Sequence, residues 1–400
     1  MIMQKGIFYL TFALAFLVGG AVFLMGIPFR LFYLAPLVIF LLPVCGVRIG
    51  NVEKIFFFFL LEIVLSAIIN HVSISQFLSF LRFIGIPYSM YYLCKNYITQ
   101  KNVKKIIRLC IIVACLQPPL ILIQQLFFQP INSILPPQVR YLPEQKIDFS
   151  FGSFYVSDDP AMSFFLMGLI IFLLFDTKNN RFIRNRITLA AYFTLGVLLS
   201  NSQLSNVLVI LIWMFLLLGR LKLKHLVRSL FVVCVSALLI SSLGFFPFLK
   251  WKISNAIEQA SIESIQSASG DGFEQGSFER TAAIYFYVTQ PLKIWGDGPS
   301  VYFDALNREF TIGNTGQIFT LYAEVGIVGL LFGYWIFFAM SQRSSASKKM
   351  AWGCFLLMSA LTITSFVLSD ASLMLAFNIF LKTNLVSRSD PEQVISIDTA

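Results

Sequence analysis

The sequence predicts an all-α, polytopic membrane protein with about twelve transmembrane helices. Hydrophobic residues make up 57% of the 400 residues, and charged residues make up only 12%. The apolar residues also lie in repeated runs long enough to cross a bilayer, with polar or basic residues between the runs. A soluble domain cannot bury so much apolar surface, so this composition excludes the soluble classes of protein.

The candidate spans follow from the thickness of the bilayer, because a hydrocarbon core requires roughly 20 apolar residues per helix. Five candidates precede a first long polar stretch, four lie between it and a second one, and three follow. In chain order they are 6–25, 31–46, 55–70, 75–94, 106–128, 159–176, 187–201, 203–219, 227–247, 317–340, 350–369 and 371–387.

Basic residues alternate in number from one connecting segment to the next. One set of segments contains 21 of the 30 lysines and arginines, and the opposite set contains eight, although it includes the two longest loops. The positive-inside rule makes the first set cytoplasmic. Both termini and the tail 388–400 then lie in the cytoplasm, and the loops 129–158 and 248–316 lie outside. We therefore expect one multi-pass membrane domain over residues 1–400.

The net charge of +10 follows from this orientation and does not predict a nucleic-acid partner, because no loop interleaves aromatic and basic residues. All cysteines lie inside hydrophobic segments, and His71 and His225 are far apart in sequence. We therefore expect no disulfide framework and no thiolate metal cluster, and nothing in the sequence predicts a cofactor. The cysteines are Cys45, Cys94, Cys110, Cys115, Cys234 and Cys354.

The second outer loop, 248–316, contains the most polar sequence in the chain. Apolar residues at helical spacing predict an amphipathic surface helix over 249–266. Ser277 is a typical N-cap, which places Arg280 in the first turn of a second helix that Pro291 ends. The Gly-Asp-Gly sequence at 296–298 then predicts a tight turn.

The next span contains polar residues on one face and small residues along it. Gln317, Thr320 and Glu324 have helical spacing near the outer end, and Gly326 and Gly329 permit close helix packing. Ionisable residues within spans are functional candidates, and the alternative for Glu324 is a carboxylate that reaches interfacial water. The corresponding alternative for Arg280 is a solvated arginine on a helix surface.

Two ionisable residues lie deep within neighbouring spans. Glu62 is about eight residues, and Arg82 about seven, from the outer ends of antiparallel helices, which brings them to similar depth. A lone charge near the bilayer centre costs roughly 2.5–3.5 kcal/mol on insertion scales. We therefore expect an internal Glu62–Arg82 pair, which either joins the helices or helps to hold a lipid pyrophosphate.

The order of motifs in the last third of the chain resembles the O-antigen polymerase and O-antigen ligase family. That pattern has an arginine opening a helix, a proline, a G-x-G turn, a polar cluster, and a helix with Glu followed by two glycines. The matching residues are Arg280, Pro291, Gly296-Asp297-Gly298, Asn314-Thr315-Gly316, Glu324, Gly326 and Gly329. The segment FGSFYVSDDPAMSFFL (151–166) is similar to a second family motif, a Gly-aromatic pair before a helix.

Two departures from the family pattern favour its polymerase branch. Ligases carry a histidine just before the Glu-containing helix, at a place that corresponds to the region of Asn314, and neither long outer loop contains a histidine. The family often has a Ser-Arg pair at the outer end of a middle helix, where this chain has Ser202-Gln203. Polymerases are the more divergent branch and tolerate both departures.

The resemblance implies a GT-C-like membrane glycosyltransferase of the cell inner membrane. Its implied reaction is polymerisation of undecaprenyl-pyrophosphate-linked oligosaccharide repeats on the periplasmic face, without a metal. The expected partners are this lipid-linked oligosaccharide, membrane lipids and a chain-length regulator. The alternatives are an O-antigen ligase and, from another class, a polysaccharide transporter or flippase. Transporters usually have helix breaks in matching halves, and no such correspondence is visible here.

The implied chemistry selects candidate residues on the outer side. A departing pyrophosphate requires cationic donors, and a guanidinium gives bidentate contacts, so Arg280 is the first choice. A carboxylate orients or deprotonates the acceptor hydroxyl, and the candidates are Glu324, Asp158 and Asp159, with Asp297 as a further alternative. The alternative for Asp158 is a cap of the helix that begins at Pro160. The candidate substrate-binding residues are Arg140, Lys293, Arg308, Gly296, Gly298, Asn314, Gln203 and Arg82.

Overall fold

The computed structural model describes residues 2–25, 50–137, 140, 150, 152–154, 159–176, 178–200, 202–220, 292–301, 316–344 and 346–386. This part of the chain is all-helical, as predicted, and contains no strand. The helices are α1 Ile2–Phe16, α2 Gly19–Leu24, α3 Asn51–Ile69, α4 Ile74–Phe80, α5 Arg82–Tyr97, α6 Val103–Leu126, α7 Phe128–Ile134, α8 Asp159–Phe175, α9 Arg186–Leu199, α10 Gln203–Arg220, α11 Gln317–Gln342, α12 Lys348–Leu361 and α13 Ala371–Phe380. Short 3₁₀ helices cover Val367–Ser369 and Thr383–Leu385.

Two helices lie at the centre of the described bundle. α8 packs against α9, α12 and α13, and α13 packs in addition against α1 and α5. Both are apolar on nearly all sides and buried on nearly all sides, as expected for helices without an outer face. They approach closely at Gly168, where a Cβ atom would lie 2.3 Å from the ring of Phe380. The glycine therefore permits the contact between the two central helices.

A second pair, α3 with α11, carries the site described below, and α12 packs against α11 on another side. The beginning of α11 is held by the loop that follows α12. The Gln317 N–H donates to the Ser365 carbonyl at 3.1 Å, and the Ile318 N–H donates to the Thr362 carbonyl at 3.1 Å. These bonds satisfy N–H groups that a helix end leaves without an intrahelical partner.

Within the described residues, two helices are long and apolar enough to cross a membrane, α6 (Val103–Leu126) and α11 (Gln317–Gln342). Shorter apolar helices lie at Pro160–Phe175, Arg186–Leu199, Leu204–Leu216 and Ala371–Leu385. The expected spans 31–46 and 227–247 lie outside the described residues.

Five of the expected spans that the structure describes are interrupted, among them 317–340 at Gly326 and 350–369 after Leu361. The span 6–25 is two helices, α1 and α2, with a break at Leu17–Val18. The span 75–94 is divided at Leu81 into α4 and α5, and 371–387 is α13 followed by a 3₁₀ turn. The hydrophobic run could not show these breaks, because hydropathy measures whether a segment tolerates lipid and not whether its backbone stays helical. The loop expected over 129–158 begins with most of α7.

Candidate functional site

The candidate site is built around a break in α11. Gly326 has φ 73° and ψ −172°, so the helical backbone is interrupted there before it continues to Gln342. An interruption of this kind removes the hydrogen bonds that the carbonyls of the preceding turn would accept. In a lipid-facing helix such groups cost several kcal/mol each, so the break requires other partners.

The segment 293–300 supplies these partners with its own backbone. The Asp297 N–H donates to the Ala323 carbonyl at 2.8 Å, and the Gly298 N–H donates to the Glu324 carbonyl at 2.9 Å. In return, the Ile327 N–H donates to the Lys293 carbonyl at 3.1 Å. We call this segment the docked turn, because it replaces the missing part of the helix ladder.

Glycines make this close approach possible. A Cβ atom at Gly326 would lie 2.1 Å from the Ile294 carbonyl oxygen, and one at Gly296 would lie 2.4 Å from the Glu324 carbonyl oxygen. Both glycines also have positive φ, as does Gly298 with φ 109°. The two glycine motifs of the sequence, near 296 and near 326, are therefore the two sides of one contact.

α3 closes the docked turn from a third side. The Ser66 hydroxyl donates to the Trp295 carbonyl at 2.6 Å and lies 3.3 Å from the Glu324 carbonyl oxygen. One helical turn further along, the Asn70 amide donates to the Ser66 carbonyl at 2.9 Å. Asn70 also lies against the turn, since a Cβ atom added at Gly298 would be 3.1 Å from the Asn70 Cβ. Polar groups of α3 thus fix the turn against the broken helix.

The Glu324 side chain is 0% exposed and lies under the docked turn. Its Oε2 accepts a hydrogen bond from the Ser300 N–H at 3.1 Å, and Ser300 has a positive φ of 59°. Gln317 and Thr320, which the spacing places on the same face, are also buried. The alternative of a Glu324 carboxylate reaching interfacial water is therefore wrong, and the polar face of α11 points into the protein.

A charged pair lies on the more open side of the turn. Lys293 forms an ion pair with Asp297, four residues later, and both side chains are partly exposed. A partly exposed lysine next to backbone N–H groups is suited to an anionic group that approaches from outside.

An apolar cavity of about 490 Å³ lies beside the same turn. It is open on one side and lies between the end of α3 and the beginning of α4, where His71 has a positive φ of 51°. Val72 lines the cavity and also contacts the docked turn, since a Cβ atom added at Gly298 would be 2.4 Å from the Val72 Cγ2. The lining residues are Val64, Ala67, Ile68, His71, Val72, Ile74 and Phe77.

A second polar cluster lies where the 151–166 motif meets α6. The Gln124 side chain pairs with the backbone of Gly152, accepting from its N–H at 2.9 Å and donating to its carbonyl at 2.8 Å. Gln117, which is fully buried, accepts from the Ser153 N–H at 3.0 Å. The Ser153 hydroxyl donates to the Phe16 carbonyl at the end of α1. Two glutamines therefore hold the segment that leads towards Asp158 and α8.

The expected Glu62–Arg82 pair is wrong. Within the described residues, neither carboxylate oxygen of Glu62 has a hydrogen-bond partner, although the residue is buried. Its Oε2 instead faces α11, 3.0 Å from where a Cβ at Gly329 would lie. Arg82 is the first residue of α5, after the break at Leu81, and its guanidinium carbon lies 5.1 Å from the centre of the Phe83 ring. Equal depth along two helices did not bring the two side chains together, because depth does not fix the direction in which a side chain leaves its helix.

The other predicted site residues are distributed as follows. Arg140 donates from Nε to the Leu135 carbonyl at 2.8 Å and from Nη2 to the Ser133 carbonyl at 3.0 Å, so its guanidinium caps the end of α7. Gln203 begins α10. Four candidates lie outside the described residues: Arg280, Asp158, Arg308 and Asn314. The helices expected within 249–291 also lie there.

The part of the chain that the structure describes contains no group of three or more His, Cys, Asp or Glu side chains able to hold a metal ion. The sequence reasoning missed Ser66 and the role of Gln117 and Gln124. Their signal was available, because Glu62, Ser66 and Asn70 recur every four residues on α3, and a glutamine inside an apolar span requires a partner.

No protein-family model and no curated protein sequence matches this chain.

Proposed function

We propose that the chain is a membrane glycosyltransferase that polymerises undecaprenyl-pyrophosphate-linked oligosaccharide repeats on the periplasmic face of the cell inner membrane. The proposal includes the twelve-span, GT-C-like plan and the cytoplasmic position of both termini. It rests on the resemblance in motif order and topology given above, and the arrangement of the docked turn supports it.

Exposed apolar side chains support the membrane location. The outward face of α3 carries Phe57, Phe58, Leu61, Leu65 and Ile68, which are between 40% and 64% exposed. α6 and α11 also expose large apolar side chains along their length. A soluble monomer rarely exposes continuous apolar surface of this extent, whereas lipid tails cover it without cost.

The docked turn is the observation that supports a catalytic site best. It joins two separate parts of the family-like pattern, the G-x-G turn and the Glu-Gly-Gly helix, in one contact of three backbone hydrogen bonds. Non-helical backbone at membrane depth is tolerated where it is buried in protein or lines a cavity. A non-glycine residue with positive φ, Ser300, and a buried carboxylate at the same place are typical of functional sites.

The proposed reaction assigns separate roles to the charged residues. The acceptor hydroxyl oxygen attacks the anomeric carbon of the donor, the bond from that carbon to the pyrophosphate oxygen breaks, and the pyrophosphate leaves with the electron pair. Arg280 is proposed to receive that charge, with Lys293, Arg140 and Arg308 as supporting cations. Asp158 is proposed to take the proton of the hydroxyl.

The complete burial of Glu324 favours a different role from the one that the sequence suggested. A carboxylate that is 0% exposed does not touch a substrate in this conformation. We therefore propose that Glu324 is a positioning residue, which holds the docked turn through the Ser300 N–H. The neighbouring cavity, with its apolar lining and open side, fits the first isoprene units of the lipid carrier.

Deleting the gene and examining the surface glycan tests the function. A polymerase deletion leaves lipid A-core with a single repeat, and the wild-type gene restores long chains. Free lipid-linked polymer with no capped core would identify a ligase, and loss of surface repeats with cytoplasmic accumulation would identify a flippase. Either of these results would replace the proposed activity.

Glu324 variants test the positioning role. Glu324→Gln keeps a side-chain oxygen that can accept from the Ser300 N–H, so we expect it to retain most of the long-chain polymer. Glu324→Ala removes that acceptor, and we expect loss of polymer by about tenfold or more. Membrane abundance of each variant is measured alongside chain length. Equal loss in both variants at normal abundance would instead indicate that the carboxylate takes part in proton transfer.

A further inference from the structure

A basic and aromatic cluster lies at the end of the bundle opposite the docked turn. Lys104 Nζ lies 5.4 Å, and Arg108 Cζ 5.7 Å, from the centre of the Phe182 ring. The two cations belong to α6, and the ring belongs to the connection between α8 and α9. We call these three residues the Phe182 cluster. Contact of two cations with one ring brings two separate basic stretches of the chain together.

The two stretches carry many positive charges and no acidic residue. Their basic residues are Lys101, Lys104, Lys105, Arg108, Lys178, Arg181, Arg184 and Arg186. The nearest acid in sequence, Asp176, is buried and accepts hydrogen bonds from the side chains of Asn179 and Thr383. Arg186 is used in the fold, since it donates to the Asn180 side chain at 2.7 Å. The other basic residues follow or precede the three residues of the Phe182 cluster closely in sequence and add to its positive potential.

The position of the cluster on α6 indicates what would neutralise it. α6 is one of the two helices long enough to span a membrane, and Lys104 and Arg108 lie in its first two turns. Like charges four residues apart destabilise a helix, and the first turn is the positive end of the helix dipole, so the helix itself does not favour these cations. The first two turns of a membrane-spanning helix lie at the level of the lipid headgroups, whose phosphates are the available anions. The half-buried Phe182 ring would then meet the adjoining acyl region.

We propose that the Phe182 cluster is a binding site for an anionic phospholipid such as phosphatidylglycerol. Arg108 and Lys104 contact the headgroup phosphate, and the edge of Phe182 lies against the upper part of the acyl chains. The inference rests on the membrane placement that the proposed function includes, and it is independent of the polymerase activity. The site lies at the far end of the helices from the docked turn and would take a structural lipid and not the lipid-linked substrate.

The test uses the purified full-length protein in phosphatidylcholine mixed micelles titrated with phosphatidylglycerol. The midpoint of thermal unfolding and the lipid retained in native mass spectrometry are measured. We expect phosphatidylglycerol to raise the midpoint and to stay bound. A juxtamembrane cation contributes about fivefold to such affinity, so we expect about a fivefold loss for Arg108→Gln and about thirtyfold for Lys104→Gln with Arg108→Gln.

The chain offers a matched control in Lys348 and Lys349. These two exposed lysines begin α12, so Lys348→Gln with Lys349→Gln also removes two charges from a helix N-terminus. We expect this control to bind the lipid within about twofold of the wild type. Arg108→Lys keeps the charge, so we expect it to bind the lipid, which would show that changing residue 108 does not by itself prevent folding. Phe182→Leu should weaken binding without a change in charge.

Three results would overturn the proposal. One is an equal loss in the Lys348 and Lys349 control, which would mean that only total surface charge matters. Another is an equal response to phosphatidylcholine alone. The third is the same thermal shift from inorganic phosphate without phosphatidylglycerol, which would indicate an ion site. Loss of polymer in cells while lipid binding stays normal would concern the proposed function and not this site.

Discussion

Unusual backbone conformations concentrate at one place in the described protein. Gly296, Gly298, Ser300 and Gly326 have positive φ and lie in or under the docked turn, and His71 lies beside them at the end of α3. For Ser300 and His71 this conformation costs about 1 kcal/mol or more, because a Cβ is present. The structure keeps them there because the surrounding hydrogen bonds fix the backbone.

Gly326→Ala tests whether the break is required. The added Cβ would meet the Ile294 carbonyl oxygen at 2.1 Å, and φ is 73°, so we expect destabilisation of about 3 kcal/mol or more and little protein in the membrane. Gly85→Ala is the control, because nothing lies within 4 Å of its Cβ in a helix. Fluorescence-detected gel filtration after heating measures both. Wild-type stability of Gly326→Ala would mean that α11 can form without the break.

Glu62→Gln tests the finding that Glu62 has no partner in the described residues. Removing one member of a buried ion pair costs about 3–5 kcal/mol. Without such a pair, a neutral amide lowers the desolvation cost, so we expect unchanged or higher thermal stability. Arg82→Gln measured in parallel, with the double variant, gives the coupling energy. A coupling energy of more than about 1 kcal/mol between Glu62 and Arg82 would show that the two side chains do interact, against the structure.

At the scale of elements, the same arrangement of an interrupted helix and a loop that fills the break occurs twice. A helix is interrupted, and a loop with a positive-φ glycine satisfies the free backbone groups. The docked turn fills the break in α11, and the segment 152–154 fills the break between α1 and α2, where the Gly20 N–H donates to the Ser153 carbonyl at 3.3 Å. Side chains of a third helix hold each loop, Ser66 in one case and Gln117 with Gln124 in the other.

Gln124→Leu tests the second of these loops. It leaves the Gly152 N–H and carbonyl without their side-chain partners, and each loss in a largely buried place costs about 1–3 kcal/mol. We expect a loss of about 2–6 kcal/mol in stability and shorter polymer, since the segment leads to Asp158. Gln342→Leu, an exposed glutamine at the end of α11, is the control. If the thermal midpoint of Gln124→Leu differed from that of the wild type by less than a degree, the hydrogen bonds between Gln124 and Gly152 would not stabilise the protein.

At the scale of the whole molecule, α3 extends from the docked turn to the opposite end of the bundle. α3 carries Ser66 and Asn70 at one end and Glu53, in an ion pair with Lys95, near the other. In the orientation that we propose from the positive-inside rule, the second end is cytoplasmic and the docked turn lies outside. The proposed reaction requires this orientation, because it takes its lipid-linked repeat from the periplasmic face.

Cysteine labelling tests this orientation. In a cysteine-free background, Ser267→Cys in the 248–316 loop should react with an impermeant maleimide in intact spheroplasts. Ser344→Cys, just after α11, should react only after permeabilisation, because it lies on the predicted cytoplasmic side. The native cysteines must be replaced first, although Cys94, Cys110 and Cys354 are buried. The reverse labelling pattern would place the site on the cytoplasmic face and remove the basis of the proposed reaction.

The helical class and the position of most helices could be predicted from the sequence. Apolar runs of spanning length leave no alternative to helices in lipid, because every backbone group must be satisfied inside the segment. The spacing of Gln317, Thr320 and Glu324 predicted a shared polar face, and the structure confirms that the three residues are buried together. Both follow from local, periodic properties of the chain.

Only the tertiary structure decided what the polar groups contact. Gly296 and Gly326 are 30 residues apart in sequence, and no periodicity relates them, yet each occupies space that a Cβ at the other would need. Glu62 and Arg82 have similar depth in the sequence, yet Glu62 faces Gly329 of α11, because depth does not fix the direction in which a side chain leaves its helix. Sequence therefore determined which segments are helical and where polar groups lie along them. Their pairing depends on where helices break and which loop fills each break, which is a property of three-dimensional packing.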